Sequence, residues 1–127
     1  MRVAHRMSRS LVTIERGARL IDAARRMCDG RVGAILVMDG SGLVGILTER
    51  DVLQVFAQRD FDASVQSAMT RQPETIDSHA SLEDARLVML HGGFRHLPVV
   101  DDDQVVGVLS MRDLLSVDAF DAAPRGV

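Results

Sequence analysis

Two short stretches carry residue types at a spacing that could do chemistry: Thr48-Glu49-Arg50-Asp51 and Ser110-Met111-Arg112-Asp113. A hydroxyl residue followed three positions later by an acid is the pattern that satisfies the unpaired N–H groups opening a helix. The same helix start presents N–H groups and the positive end of a dipole, which favours a phosphate. The hydroxyl can donate to a phosphate oxygen. A carboxylate one turn in can accept both hydroxyls of a vicinal diol such as a ribose. Capping and binding are compatible uses of Thr48, Asp51, Ser110 and Asp113. Arg50 and Arg112 stand beside the acids, and a guanidinium is a planar fork suited to phosphate.

The two stretches are related by a shift of 62 residues, and the relation extends far beyond them. Residues 3–53 fall on 65–115 without a gap, and 19 of the 51 pairs are identical. Val3 and Met7 meet Val65 and Met69, Thr13-Ile14 meets Thr75-Ile76, and Leu20-x-Asp22-Ala23-x-x-x-Met27 meets Leu82-x-Asp84-Ala85-x-x-x-Met89. Val44-Gly45-Ile46-Leu47 meets Val106-Gly107-Val108-Leu109. A repeat this long decides the fold before any local pattern does. Its period is too long for a solenoid unit, so the expectation is two small α/β units packed with approximate two-fold symmetry. Either alone would bury too little surface to be stable.

Each repeat reads β-α-β-β-α. A short opening turn holds Val3 and Met7, or Val65 and Met69. A brief strand follows at 12–14 and at 74–76. Apolar residues at helical spacing then predict amphipathic helices around 20–27 and 82–89, stopped by Gly30 and by Gly92-Gly93. Paired β-branched runs at 34–38 with 43–47, and at 97–100 with 105–109, predict hairpins. Asp101-Asp102-Asp103 aligns with Asp39-Gly40-Ser41 and is a turn rather than a cation site. Second helices are expected around 49–59 and 111–118. The boundaries are residues 3–59 for the first repeat, 60–64 for a linker, 65–121 for the second repeat and 122–127 for a frayed tail.

Composition narrows the function classes. No apolar run approaches the roughly 20 residues that span a membrane, and no signal-peptide pattern opens the chain, so a cytoplasmic location is expected. All fifteen basic residues are Arg, and the formal net charge is −3. Residues 1–62 hold ten Arg against eight acids and residues 63–127 five against ten. An acidic chain without aromatics interleaved among its arginines argues against nucleic acid as the partner. Cys28 is the lone cysteine; it aligns with Leu90 and reads as a small core hydrophobe. His5, His79 and His91 have no ligand-like spacing, so no metal is expected. No nucleophile–base pair is legible, so the chain does not read as an enzyme.

The motifs, in this order and given twice, resemble the cystathionine-β-synthase (CBS) domain, and residues 3–117 resemble a tandem CBS pair. The residues that carry the resemblance are Thr13-Ile14 and Thr75-Ile76, the Leu-x-x-Ala helices, 32–37 and 94–101, and above all Val-Gly-Ile/Val-Leu-Thr/Ser-x-Arg-Asp closing each repeat. The resemblance implies an α/β (α+β) module of two repeats with pseudo-two-fold symmetry. It further implies that adenosine-containing ligands bind in clefts between the repeats. Thr13, Ile14, Thr75 and Ile76 would border the adenine, with Ala34 and Ile35 in one repeat and His96, Leu97 and Pro98 in the other as the second wall. Thr48, Arg50, Asp51, Ser110, Arg112 and Asp113 would hold ribose and phosphate.

Arg95 and His96 mark the main asymmetry, because their counterparts are Gly33 and Ala34. They would meet phosphates and make the two clefts unequal. Arg-only basic chemistry favours phosphate over sulfonium, and AMP, ADP or ATP is expected ahead of S-adenosylmethionine or NAD. Output is expected through a homodimer built on helix faces or through an effector protein of unknown identity. The alternative is a ligand-free scaffold that binds a partner protein.

Overall fold

The computed structural model describes residues 1–115. The expected end of the second repeat, the last part of its second helix and the tail 122–127 lie outside the described residues. Two compact units are present, and each combines parts of both repeats. A central unit spans Leu11–Pro73; a composite unit joins Met1–Ser10 to the chain from Glu74 onward.

In the central unit, β1 (Thr13–Glu15), α1 (Leu20–Gly30), β2 (Ala34–Asp39), β3 (Gly42–Thr48) and α2 (Glu49–Ala57) are followed by the short α3 (Val65–Ala68) and β4 (Thr70–Arg71). The sheet order is β1-β2-β3-β4. β1 runs parallel to β2 with Thr13 opposite Leu36, and β2–β3 is an antiparallel hairpin with Ala34 opposite Thr48. Leu20, Ala23 and Met27 turn the buried stripe of α1 onto Ile14, Ile35, Val37 and Leu47, which form one sheet face. Cys28 stands off that stripe and is exposed, so the core position expected from its match to Leu90 is not taken. Leu90 is itself 56% exposed. Both lie one residue past the inward-facing Met27 or Met89, about 100° around the helix.

The composite unit repeats this plan with β5 (Ile76–Asp77), α4 (Leu82–Gly92), β6 (His96–Asp101) and β7 (Gln104–Ser110), and residues 111–115 are helical. Its core is Ile76, Ala85, Met89, Leu97, Val99 and Leu109, completed by Val3 and Met7. The 3₁₀ turn Val3–His5 occupies the place that Val65 and α3 hold in the central unit. Ser8 bridges Val108 by two backbone hydrogen bonds of 2.8 and 2.9 Å, the counterpart of the β3–β4 pairing of Ile46 with Thr70. The opening segment of each repeat therefore packs in the unit built on the other repeat's hairpin.

That packing explains the glycine in each Val-Gly-Ile/Val motif. A Cβ on Gly107 would meet the Met7 Sδ and the Ser8 carbonyl oxygen, both at 2.7 Å. A Cβ on Gly45 would run into the Met69 side chain and come within 3.0 Å of the Thr70 carbonyl. The hairpin turns diverge in composition and agree in role. Gly40 takes a positive φ of 61°, and Asp102 and Asp103 take 51° and 62°, so the acidic triplet is a turn as the alignment indicates.

Candidate functional site

Pairing of Ala34 with Thr48 brings the start of β2 to the start of α2, and pairing of His96 with Ser110 does the same in the composite unit. At both places the chain turns from strand into helix at a hydroxyl residue with extended backbone. In the central unit the Asp51 N–H donates to Thr48 Oγ1 at 3.3 Å, while Asp51 Oδ2 accepts from the Thr48 N–H at 2.8 Å and the Thr48 hydroxyl at 3.0 Å. The same three bonds join Ser110 and Asp113 at 3.3, 2.8 and 3.0 Å. These are reciprocal capping boxes. The first helical N–H is also engaged: Glu49 donates to the Gly33 carbonyl at 3.0 Å and Met111 to the Arg95 carbonyl at 2.8 Å.

The helix starts are thus largely self-satisfied. Among the described residues, each leaves a small set of groups without a partner: the second carboxylate oxygen of Asp51 or Asp113, the backbone N–H of Arg50 or Arg112, and the exposed guanidinium of that Arg. Both aspartates are half-buried, which fixes their direction without closing them to solvent. An anion approaching the N–H meets the positive helix end. A diol approaching the free oxygen meets an acceptor held rigidly by two internal bonds.

The other expected site residues divide by sheet face. Ile14, Ile35, Ile76 and Leu97 point into the hydrophobic cores, at 8% exposure or less, so they offer a ligand only backbone groups. Ala34 and Pro98 are buried as well, outside those core clusters, and Thr13, Thr75 and His96 are half-buried. Arg95 is exposed beside Ser110's strand partner.

One contact was not foreseen. The Arg26 guanidinium donates to the Thr13 carbonyl at 2.6 Å, on the open edge of β1. The corresponding residue of the composite unit is Val88, which has no donor to offer Thr75. The repeat alignment carried that signal in the unlike pair Arg26 and Val88.

Two cavities lie in the central unit. One, of about 560 Å³, is an apolar groove between α1 and α2 lined by Met27, Cys28, Val32, Val52, Leu53 and Phe56 among others. The second, of about 590 Å³, lies at the hairpin end of the sheet and is lined by Arg16, Leu43, Val44, Gln66, Met69, Arg71 and Gln72. No group of acids, histidines and cysteine suited to a metal occurs among the described residues. No helix among them is long and apolar enough to cross a membrane.

Known proteins carry the same architecture. The CBS domain family model matches residues 3–58 and again 64–119, so the chain belongs to the CBS domain family and holds two of its domains in tandem. The CBS domain structure of NE2398 superposes with a TM-score of 0.87 at 35% identity, covering 94% of this chain and 98% of that one. A Pyrobaculum aerophilum CBS domain protein, PAE2072, complexed with AMP, superposes with a TM-score of 0.85 at 26% identity, covering 96% and 100%. An Arabidopsis thaliana CBS domain-containing protein, CBSCBSPB2, is 38% identical over 124 residues, 94% of this chain. The chain spans only 22% of that protein's length, and 59% of an Acidianus ambivalens relative's.

Proposed function

We propose that this chain is a regulatory module that binds an adenine nucleotide, AMP, ADP or ATP, at the helix starts marked by Asp51 and Asp113. The observation that carries the reading is the pair of matching capping boxes, each leaving one carboxylate oxygen and one backbone N–H without a partner among the described residues. An acceptor for a diol beside a donor for an anion is the pairing that a nucleoside phosphate needs. The AMP complex of the Pyrobaculum aerophilum relative supports this ligand class. Arg95, with no charged counterpart at Gly33, favours the Asp113 position for the more highly phosphorylated ligand.

The module works in the cytoplasm without catalysis. A nucleotide acts on it only through unequal affinity for two arrangements of the protein. Its output passes to an effector protein or through a homodimer, for which the α1–α2 groove offers Leu53 and Phe56, 67% and 64% exposed. Thermal unfolding against AMP, ADP, ATP, NAD and S-adenosylmethionine tests the ligand. A ligand bound only by the folded state at a hundredfold excess over its Kd adds about 2.7 kcal/mol. A rise in Tm with an adenine nucleotide supports the sensor. No shift with any of the five leaves a scaffold defined by its protein partner.

A further inference from the structure

The cavity at the hairpin end of the central unit is distinct from the nucleotide positions proposed above. Val44 in its wall is four residues along β3 from Thr48, which at roughly 3.4 Å per residue is about 14 Å away. We propose that this cavity binds a small organic oxyanion, a phosphate or carboxylate group carried on an apolar body.

Arg16, Gln66, Arg71 and Gln72 line it together with the apolar Leu43, Val44 and Met69. The backbone fixes their placement. The Arg16 N–H donates to the Met38 carbonyl at 3.1 Å, and its own carbonyl accepts from the Gln66 N–H at 3.2 Å, so β1's exit and α3 are tied together. Arg71 lies on β4 opposite Gly45, and Gln72 donates its N–H to the Val44 carbonyl at 3.2 Å with a φ of 46°. That left-handed backbone is uncommon for a residue other than glycine. Arg16 shares its charge with Asp39 at 3.4 Å, whereas Arg71 has no ion-pair partner among the described residues. The local balance is two cations against one acid, which favours a bound anion.

Comparison with the duplicate strengthens the assignment. The apolar frame is common to both units: Leu43, Val44 and Met69 answer to Val105, Val106 and Met7. The polar lining is not. Arg16, Gln66 and Gln72 answer to Ser78, Ala4 and Ser10, and only Arg71 has its like in Arg9. The repeat has thus placed a set of forked donors on one copy of a shared frame. Guanidinium groups bind planar or tetrahedral oxyanions by paired hydrogen bonds, and the amides can donate alongside them. A volume of about 590 Å³ is that of a small-molecule site, and the apolar lining residues would cover an apolar body that a bare ion lacks.

Isothermal titration of the full chain with phenyl phosphate, benzoate and inorganic phosphate tests this. The expected result is saturable binding of phenyl phosphate or benzoate, roughly tenfold tighter than inorganic phosphate, a difference of about 1.4 kcal/mol. Arg71→Gln alone should weaken it, and Arg16→Gln with Arg71→Gln should weaken it at least tenfold. These arginines are exposed, and an unchanged circular dichroism spectrum confirms that the variants fold. Asp51→Asn with Asp113→Asn should leave phenyl phosphate binding untouched while abolishing AMP binding, which separates this site from the proposed nucleotide positions. Three results would overturn the proposal: no saturable binding of either organic anion up to about 10 mM, equal binding by the double Arg variant, or loss of phenyl phosphate binding in the double Asp variant.

Discussion

The central and composite units carry the same capping box to within the distances quoted, 2.8, 3.0 and 3.3 Å at each, yet the residues around the two boxes differ sharply. The Thr48–Asp51 cap pairs with Ala34 and Gly33, and in the same unit Arg26 occupies the Thr13 carbonyl. Asp113 stands near Arg95 and His96, with Val88 where Arg26 would be. The shared part is what the fold requires: the cap, the hairpin register, the glycine under a methionine, and the helix stripe of Leu, Ala and Met. The divergent part lies at strand edges and helix starts, where a substitution costs the core nothing. The repeat keeps a common frame and varies the residues set on it, which is the basis for proposing unequal ligand positions.

The comparison breaks most visibly if the two cores are unequal. Leu47 and Leu109 are both fully buried and aligned in the repeat. Leu47→Ala and Leu109→Ala should each destabilise the protein by about 2–5 kcal/mol, measured by urea unfolding, with similar values for the pair. A cost under about 1 kcal/mol at one of them would show that its unit does not share the common core. The glycines come next. Gly45→Ala and Gly107→Ala should each cost about 1–3 kcal/mol by overpacking. Gly107→Ala should be the worse, because its added Cβ meets backbone at Ser8 more closely than at Thr70. The reverse order in urea unfolding would contradict the packing described for the opening segments.

Loss of a cap is smaller. Thr48→Ala and Ser110→Ala should each cost about 0.5–2 kcal/mol, and matched bond lengths require matched costs. Smallest is a pH effect confined to the composite unit. The His79 backbone N–H, at 2.8 Å, holds the Asp77 carboxyl below its ordinary value, and the Arg86 guanidinium does the same to Glu83. A depressed folded value means that each group favours folding above its unfolded pKa and loses that contribution as pH falls through the carboxylate range. Both are exposed, so the effect is slight. Asp77→Asn should make unfolding stability less dependent on pH below about pH 5, and an unchanged pH dependence in urea unfolding would contradict the role given to the His79 N–H.

Much of this was legible in the sequence because the repeat checks itself. Periodicity at Leu20, Ala23 and Met27, repeated at Leu82, Ala85 and Met89, gave the helices, and both hairpins appear at the expected places with strands extended by a residue or two. The Thr48 and Ser110 caps follow from residue type alone. The exchange of opening segments was not legible. A shift of 62 residues relates Val3 to Val65 whether each packs on its own repeat or on the other, so the symmetry hides the choice. Cys28 failed for a different reason. Alignment with Leu90 implied burial, but neither position lies on the inward stripe, and apolar residues on a helix need not face the core. The proposed oxyanion cavity arises from four residues on three segments, and only the fold brings Arg16 to Gln66 and to Arg71 and Gln72.

The central claim, that Asp51 and Asp113 are the nucleotide-binding carboxylates, is tested most directly by titrating AMP calorimetrically into the protein and its Asp51→Asn and Asp113→Asn variants. Asparagine keeps an oxygen for the cap and removes the paired acceptors for a diol. The account predicts saturable AMP binding, a loss of at least tenfold on Asp113→Asn, and unchanged unfolding stability in both variants to within the cost of a cap. AMP binding undiminished in the double variant, or absent from the parent protein, would contradict it.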